Sequence, residues 1–207
     1  MRKISFEKIL PAVTIDQPDK AILVAEALIA GGLNQLEITF RTSSTIKSIT
    51  AIRENYPHLL VGAGTILTIE QLYQAKDSGA AFGLSPGLNP KIIAKADKIN
   101  FPFIPGVMTP SEIELALALG CKLMKLFPAG NLGGIGMINA LNGPYLHTGI
   151  QFIPMGGINV NNMNDYLSIG NVLAIGGSWL ASEALVNQAA YARITANTKE
   201  AMAKLAQ

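Results

Sequence analysis

A lysine within an apolar run is the first feature of this sequence that could support covalent chemistry. Strand-like residues surround Lys125 in the stretch Lys122-Leu123-Met124-Lys125-Leu126-Phe127-Pro128. Alternation along a strand places Lys125 on the face of Leu123 and Phe127, whereas Lys122 stands at the start of the strand, within reach of water. Burial favours the neutral, nucleophilic form of a lysine amine. Taken alone, the stretch fits equally well a structural lysine, either in a buried ion pair or with its ammonium extended to the surface.

A second stretch places polar side chains on one face of a strand. In Leu36-Glu37-Ile38-Thr39-Phe40-Arg41, the residues Glu37, Thr39 and Arg41 alternate with apolar ones. Glu37 and Arg41 lie about 13 Å apart on an extended strand, so each needs a partner from another strand or from a ligand. A structural ion pair between Glu37 and Lys125 would leave Arg41 unexplained. We therefore favour a functional carboxylate and an arginine that binds a carboxylate.

Strands and helices must position these side chains. The sequence predicts them through an alternation of short apolar runs, typical of strands, and longer amphipathic runs, typical of helices. Eight predicted strands, each followed by a helix, imply right-handed crossovers and a parallel sheet. Because no Rossmann glycine fingerprint appears, we predict an α/β fold with one domain over residues 1–207, a closed (β/α)8 TIM barrel. A short helix over residues 1–8 is expected to close the bottom, and a long final helix is expected from Trp179 onward. The predicted strands cover residues 9–13, 36–40, 60–63, 81–84, 102–104, 122–127, 151–154 and 172–175.

Two glycine pairs follow the predicted strands seven and eight, in Met155-Gly156-Gly157-Ile158 and Gly176-Gly177-Ser178-Trp179. Glycine pairs expose backbone N–H groups, and a helix N-terminus behind them favours an anion. The loops after strands seven and eight form the usual phosphate site of this barrel. The pairs therefore predict a phosphorylated ligand.

Other strand ends carry weaker signals. Thr65 follows Gly62-Ala63-Gly64, where the glycines could let a ligand approach the backbone, but a threonine at a helix entry is the simpler interpretation. Pro86 stands in a rigid Ser-Pro-Gly turn that could shape a pocket.

Composition narrows the class of protein. A net charge of +2 without a run of basic residues gives no support for nucleic acid or an anionic membrane as partner. The 49% apolar content suits a sheet buried on both faces and an oligomer. Cys121 is the only cysteine, the N-terminus lacks the pattern of a signal peptide, and no membrane-length apolar run occurs, so we predict a cytoplasmic protein.

Metal chemistry finds little support in the sequence. His58, His147 and Cys121 precede or begin predicted strands, at the end of the barrel away from the expected site. We therefore expect an enzyme without metal or cofactor. A buried lysine, a carboxylate, an arginine and a phosphate cradle together fit Schiff-base catalysis on a phosphorylated keto acid.

These motifs resemble a known family, the class I aldolases that cleave 2-keto-3-deoxy-6-phosphogluconate (KDPG) and 4-hydroxy-2-oxoglutarate (KHG). The resemblance runs through nearly the whole chain, in motifs around Glu37, Thr65, Pro86, Lys125 and both glycine pairs. It implies KDPG as the substrate and pyruvate and glyceraldehyde 3-phosphate as products, as in the Entner–Doudoroff pathway. It also implies a homotrimer.

The resemblance implies roles for individual residues. Lys125 is similar to the Schiff-base lysine and Glu37 to the general acid/base. The remaining positions match those that bind the pyruvate carboxylate (Arg41, Thr65 and Pro86), the phosphate (Gly156, Gly157, Gly177 and Ser178) and the selective end of the substrate (Met155 and Phe127). Met155 departs from the family, which commonly has threonine there, and this loss of a hydroxyl bears on selectivity.

Several alternatives stay open. Within the family, the substrate could be KHG or the galactonate-derived epimer of KDPG. A sugar-phosphate epimerase or isomerase would form no covalent adduct and would usually need metal ligands at the mouth of the barrel. A non-catalytic phosphate-binding barrel gives no reason to bury Lys125 and Glu37 together.

Overall fold

Strands and helices alternate along the part of the chain that the computed structural model describes, residues 4–205. The strands are β1 (Ile9–Val13), β2 (Gln35–Thr39), β3 (Leu60–Gly64), β4 (Phe82–Leu84), β5 (Phe103–Ile104), β6 (Gly106–Val107), β7 (Leu123–Leu126), β8 (Gln151–Pro154) and β9 (Ile175–Gly177). The helices are α1 (Lys20–Ala30), α2 (Thr45–Asn55), α3 (Ile69–Asp77), α4 (Pro90–Lys98), α5 (Pro110–Ala118), α6 (Gly134–Tyr145), α7 (Met163–Leu167), α8 (Glu183–Asn187) and α9 (Tyr191–Leu205).

The strands pair in parallel within two sheets, so the prediction of one closed eight-stranded (β/α)8 TIM barrel is wrong. A six-stranded sheet has the order β5-β4-β3-β2-β1-β9, and a three-stranded sheet has the order β6-β7-β8. The predicted fifth strand, residues 102–104, contains β5, and Pro105 separates β5 from β6, which was not predicted as a strand and belongs to the other sheet. Proline interrupts the ladder because it has no N–H to donate. At the other boundary, the bridges found among residues 4–205 are isolated ones, from Phe152 to Val172 and from Met155 to Gly176.

Both ends of the chain also differ from the sequence prediction. Residues 4–8 are not helical, and residues 1–3 of the predicted helix lie outside the described part. Glu7 is instead held by Gln35, which accepts from its N–H at 3.0 Å and donates to its carbonyl at 3.0 Å. The long final helix begins at Tyr191 instead of Trp179. The short α8 precedes it, and Ala189 interrupts the helical backbone with a φ of 53°.

Alternation along the strands separates two apolar clusters. The inner cluster lies on the faces of the strands that point away from the helices, and it includes Leu10, Phe82 and Ile153. Leu123 and Phe127 pack against it. The outer cluster joins the strands to the helices and includes Met124 and Leu126. Lys125 alternates with these two outer residues and therefore faces inward, as the sequence predicts.

Each end of the inner cluster opens into a cavity. The cavity at the amino ends of the strands measures about 590 Å³ and is mainly apolar, with Cys121 and Lys122 in its lining. The cavity at the carboxyl ends measures about 230 Å³. Within residues 4–205, no helix combines the length and the apolar character that crossing a bilayer requires.

Candidate active site

The cavity at the carboxyl ends of the strands brings most of the predicted site residues together. Its volume is about 230 Å³, and its walls come from β1, β2, β7 and the segments that follow β7, β8 and β9. Predicted residues in the lining are Glu37, Arg41, Lys125, Phe127, Met155, Gly156, Gly157, Gly177 and Ser178. Carboxyl ends are where active sites lie in barrel-like α/β folds.

Lys125 is held deep in this cavity by the middle of β7. Its backbone N–H donates to the carbonyl of Pro105 at 2.9 Å, and the residue is only 5% exposed. The Nζ atom lies 3.7 Å from Oε1 of Glu37 and 5.2 Å from the centroid of the Phe127 ring. The amine therefore has one close carboxylate and an aromatic face beside it.

Glu37 is fully buried on β2, and its carboxylate is poorly satisfied. Neither Oε1 nor Oε2 has a hydrogen-bond partner among the described residues. The 3.7 Å separation from Lys125 is longer than a hydrogen bond. A structural ion pair is stable in the interior only when further hydrogen bonds compensate for the lost hydration. Glu37 and Lys125 are therefore close enough to attract each other. Because the carboxylate oxygens have no hydrogen-bond partner in the described structure, they remain available to bind a ligand.

Gly64 makes room for this carboxylate. A Cβ atom at Gly64 would lie 1.6 Å from Glu37 Oε1, so the Glu37 side chain occupies the space above the neighbouring strand. Gly62 serves the inner cluster in the same way, since its Cβ would lie 2.3 Å from the ring of Phe82. The sequence prediction that both glycines let a ligand approach the backbone therefore misses that protein side chains fill these spaces.

Arg41 follows β2 and lies in the lining at the solvent-exposed side of the cavity. The ion pairs found within the described residues do not include its guanidinium. An arginine that is free of protein carboxylates can bind a carboxylate ligand through two parallel hydrogen bonds.

The loop after β8 is held in an unusual conformation by hydrogen bonds to its carbonyl groups. Gly156 and Gly157 have φ values of 91° and 78°, which favour glycine. The N–H of Gly130 donates to the Gly156 carbonyl at 2.8 Å, and Asn162 donates through Nδ2 to the Gly157 carbonyl at 3.0 Å. The helices that follow the two glycine pairs, α7 and α8, have only five residues each and begin further along the chain, so direct support of an anion by a helix N-terminus is not found.

Two predicted residues, Thr65 and Pro86, are not in the lining of the cavity. Thr65 follows β3 with a φ of 59°, a left-handed conformation that is uncommon for threonine. Pro86 packs against the next turn, because a Cβ at Gly106 would lie 2.2 Å from the Pro86 carbonyl oxygen. The structure therefore gives no contact between these residues and the cavity.

Sequence reasoning did not assign a role to four other lining residues, Ala12, Ile158, Trp179 and Ser182. Ala12 could have been found, because it lies two positions after the inward-facing Leu10 on β1. Trp179 packs over Gly177, where a Cβ would lie 2.7 Å from the indole ring. Ser182 caps α8 and accepts from the N–H of Leu185 at 3.4 Å. Within residues 4–205, no three His, Cys, Asp or Glu side chains cluster so that they could hold a metal ion.

Comparisons with known proteins identify the family of this chain. The sequence model of the family described as KDPG and KHG aldolase matches residues 1–197. A 2-dehydro-3-deoxy-phosphogluconate aldolase of Haemophilus influenzae is 44% identical over 186 residues, which cover 90% of this chain and 87% of that protein. A Legionella pneumophila KDPG aldolase, solved with pyruvate captured as a covalent carbinolamine intermediate, has a TM-score of 0.90 at 35% identity over 94% of both chains. A Zymomonas mobilis KDPG aldolase with 3-phosphoglycerate has a TM-score of 0.84 at 36% identity, over 93% of this chain and 90% of that one.

Proposed function

This chain belongs to the KDPG and KHG aldolase family, and we propose that it cleaves KDPG to pyruvate and glyceraldehyde 3-phosphate through a Schiff base on Lys125. The observation that carries the proposal is the buried amine of Lys125, 3.7 Å from a Glu37 carboxylate whose oxygens have no hydrogen-bond partner in the described structure. Such a pair supplies a nucleophile and a proton acceptor at one point.

The first half of the reaction forms the imine. Glu37 accepts a proton from the Lys125 ammonium, and the neutral amine attacks the C2 carbonyl carbon of the substrate. A proton is transferred from nitrogen to oxygen to give a carbinolamine. Glu37 returns its proton to the C2 oxygen, which departs as water. This leaves an ionised Glu37 and a protonated imine, whose positive charge can accept the electrons of the bond that breaks next.

The second half breaks the C3–C4 bond. Glu37 takes the proton from the C4 hydroxyl, and the C3–C4 bonding electrons move into the imine as the C4 fragment leaves as an aldehyde. The remaining enamine takes a proton at C3 from the Glu37 carboxylic acid. Water then hydrolyses the imine, which releases pyruvate and restores the Lys125 amine.

Two anionic groups of the substrate would be bound on different sides of the cavity. We assign the carboxylate to Arg41, with Thr65 and the Pro86 turn as family-based partners. We assign the phosphate to the loops of Gly156, Gly157, Gly177 and Ser178. The exposure of Arg41 and the positive φ values of the Gly156 loop support this division.

Met155 and Phe127 are proposed to determine which aldehyde end the site accepts. Met155 is 2% exposed, and its methyl group occupies space that Gly176 leaves free, where a Cβ would lie 2.4 Å away. Its thioether is a weak hydrogen-bond acceptor and cannot donate to a substrate hydroxyl as threonine could. Because Met155 offers no hydroxyl to the substrate, KHG and the galactonate-derived epimer remain alternative substrates.

We further propose that the protein is a homotrimer in the cytoplasm, by analogy with the family. The single cysteine supports the compartment. Sedimentation velocity would test the assembly, and a monomeric or dimeric species at enzyme-assay concentration would contradict it.

The function is tested by measuring pyruvate release from KDPG, its galactonate-derived epimer and KHG with lactate dehydrogenase and NADH. We expect the highest kcat/KM with KDPG. A higher value with either alternative would reassign the substrate, and no release from any of the three by a folded protein would contradict an aldolase. The Lys125→Ala protein, purified in parallel, controls for contaminating aldolases.

A further inference from the structure

We propose that the hydroxyl groups of Thr14 and Thr39 form a pair that positions the Glu37 carboxylate. During proton transfer the pair rotates, so that it donates a hydrogen bond to the ionised carboxylate and accepts one from the carboxylic acid. The proposal rests on the proposed function, since it takes Glu37 as the general acid/base. Neither threonine is assigned to contact substrate, and both are therefore positioning residues.

The two hydroxyl groups meet at the inner face of the six-stranded sheet. Their Oγ1 atoms are 3.0 Å apart, Thr39 is 1% exposed and Thr14 is 8% exposed. Two hydroxyl groups carry two hydrogens, and their mutual bond uses one of them. Within residues 4–205 this is the only hydrogen bond that either hydroxyl makes, so one hydroxyl hydrogen remains available to a further acceptor.

The available acceptor is the carboxylate of Glu37. Thr39 pairs in register with Gly64 on β3, and a Cβ at Gly64 would lie 1.6 Å from Glu37 Oε1. The Glu37 side chain thus extends along the sheet from its own position to the level of Thr39. Both carboxylate oxygens lack a partner within the described structure. An unsatisfied carboxylate and a spare hydroxyl hydrogen therefore lie on the same face at the same level.

A pair of hydroxyls suits a group that must alternate between two protonation states. When Glu37 is ionised, Thr14 can donate to Thr39 and Thr39 can donate towards the carboxylate. When Glu37 has taken a proton, both hydroxyls can rotate, so that Thr39 accepts from the carboxylic acid and donates to Thr14. In the ionised state both hydroxyl hydrogens have acceptors. In the protonated state only the hydrogen of Thr14, which is 8% exposed, is left to solvent. A valine at either position could not form this pair.

The experiment separates imine formation from proton transfer. Pyruvate alone can form the imine on Lys125, and exchange of its methyl hydrogens for deuterium in D2O reports proton transfer at C3 by Glu37. Exchange is followed by proton NMR, and the imine is measured in parallel by the rate of borohydride trapping. We expect Thr39→Val to slow exchange roughly tenfold and Thr14→Val about threefold, as a hydrogen bond to a charged group would imply, with trapping unchanged. Thr39→Ser, which keeps the hydroxyl, should restore most of the exchange rate.

Thr198→Val is the matched control, because Thr198 is also fully buried and its hydroxyl donates to the Ile194 carbonyl on α9, away from the cavity. The positioning role is overturned if Thr39→Val and Thr14→Val exchange at the unsubstituted rate. It is also overturned if trapping and exchange fall by the same factor, which indicates general damage to the site. Absence of trapping and exchange in the unsubstituted protein would instead contradict the proposed function itself, so the two failures are distinguishable.

Discussion

The two ends of the strands carry cavities of opposite character. The amino-end cavity is the larger, about 590 Å³ against about 230 Å³, and its lining is mainly apolar. The carboxyl-end cavity contains Lys125 and Glu37, charged groups that are almost fully buried and incompletely hydrogen-bonded. Volume alone would select the amino end. Buried charge without full compensation indicates instead that the carboxyl end is the reactive one, because such groups are rarely found in the interior without a function.

Two lysines on one stretch of chain, Lys122 and Lys125, show the same difference between an exposed and a buried charge. Lys122 lies at the amino end, lines the larger cavity and is exposed to solvent. Lys125 comes three residues later and is 5% exposed. An exposed lysine keeps its hydration, whereas the buried one is positioned against Glu37 and can serve as a nucleophile. The predictions that follow test this difference between the two ends.

Replacing the two lysines separately should give the largest difference. We expect Lys125→Ala to lower kcat by roughly a hundred-thousandfold or more, because the covalent intermediate can no longer form. We expect Lys122→Ala to stay within about twofold of the unsubstituted protein, as is usual for surface substitutions. Steady-state kinetics with KDPG measure both. Comparable losses of kcat in the two variants would show that the two ends of the strands do not differ in their contribution to the reaction.

Glu37→Gln should have the next largest effect. It preserves the shape of the side chain but removes the proton acceptor, and we expect kcat to fall by roughly a hundred- to ten-thousandfold. The imine should still form with pyruvate, at a reduced rate, since Lys125 remains. Rapid-quench trapping beside steady-state turnover distinguishes the steps. Full turnover by Glu37→Gln would exclude this carboxylate as the general base.

Gly64→Ala should affect the cavity at the carboxyl ends of the strands although it replaces no charged residue. The added methyl group would lie 1.6 Å from Glu37 Oε1 and must displace the carboxylate. To relieve this contact the carboxylate must move by more than about 1 Å, and a misplacement of about 1 Å at a reacting group lowers kcat roughly a hundredfold. Gly143→Ala on α6 is the matched control, because a Cβ there meets nothing within 4 Å. Equal kcat values for the two variants would show that the carboxylate position is unimportant.

Cys121 gives the smallest expected effect and tests the amino end. Burial raises the pKa of its thiol to about 11, and the charge of Asp97 adds to the increase. With that pKa, only roughly one thiol in ten thousand is ionised at pH 7, so alkylation by iodoacetamide should be slow. The rate should rise about tenfold for each pH unit up to the pKa, while urea-unfolded protein should react much faster at pH 7. Rapid alkylation of the folded protein at pH 7 would contradict the burial.

The activity of a cysteine variant completes this test. We expect Cys121→Ser to retain turnover with KDPG within about twofold, since the residue contacts no part of the reactive cavity. Substantial loss of turnover with an unchanged melting temperature would show that the amino end contributes to the reaction.

Local patterns were sufficient to predict seven of the nine described strands and the inward faces of Glu37 and Lys125. The strand β6 was not predicted, and β9 shares only Ile175 with the predicted strand over residues 172–175. The two-residue period of a strand is a local property, and it placed both groups correctly. Whether neighbouring strands remain hydrogen-bonded is not local. The division at Pro105 and the isolated bridge from Met155 depend on contacts between distant segments. For the same reason the closed barrel was predicted and two separate sheets were found.

The candidate site shows a similar limit. The family resemblance assigned Thr65 and Pro86 to the pyruvate carboxylate, but neither residue is in the lining of the cavity, so this assignment stays a prediction. The use of Gly64 to accommodate Glu37 could not be predicted, because it requires the register between β2 and β3. The roles of the individual site residues stay predictions until the variants are measured.

The most direct test of the account is borohydride trapping of the protein with pyruvate, followed by intact-mass and peptide mass spectrometry. We expect one reduced pyruvate adduct per chain, located on Lys125 and absent from the Lys125→Ala protein. Lys122, in the same peptide region but at the other end of the strand, provides an internal comparison and should remain unmodified. A folded protein that forms no adduct, or that carries it on Lys122, would contradict the account.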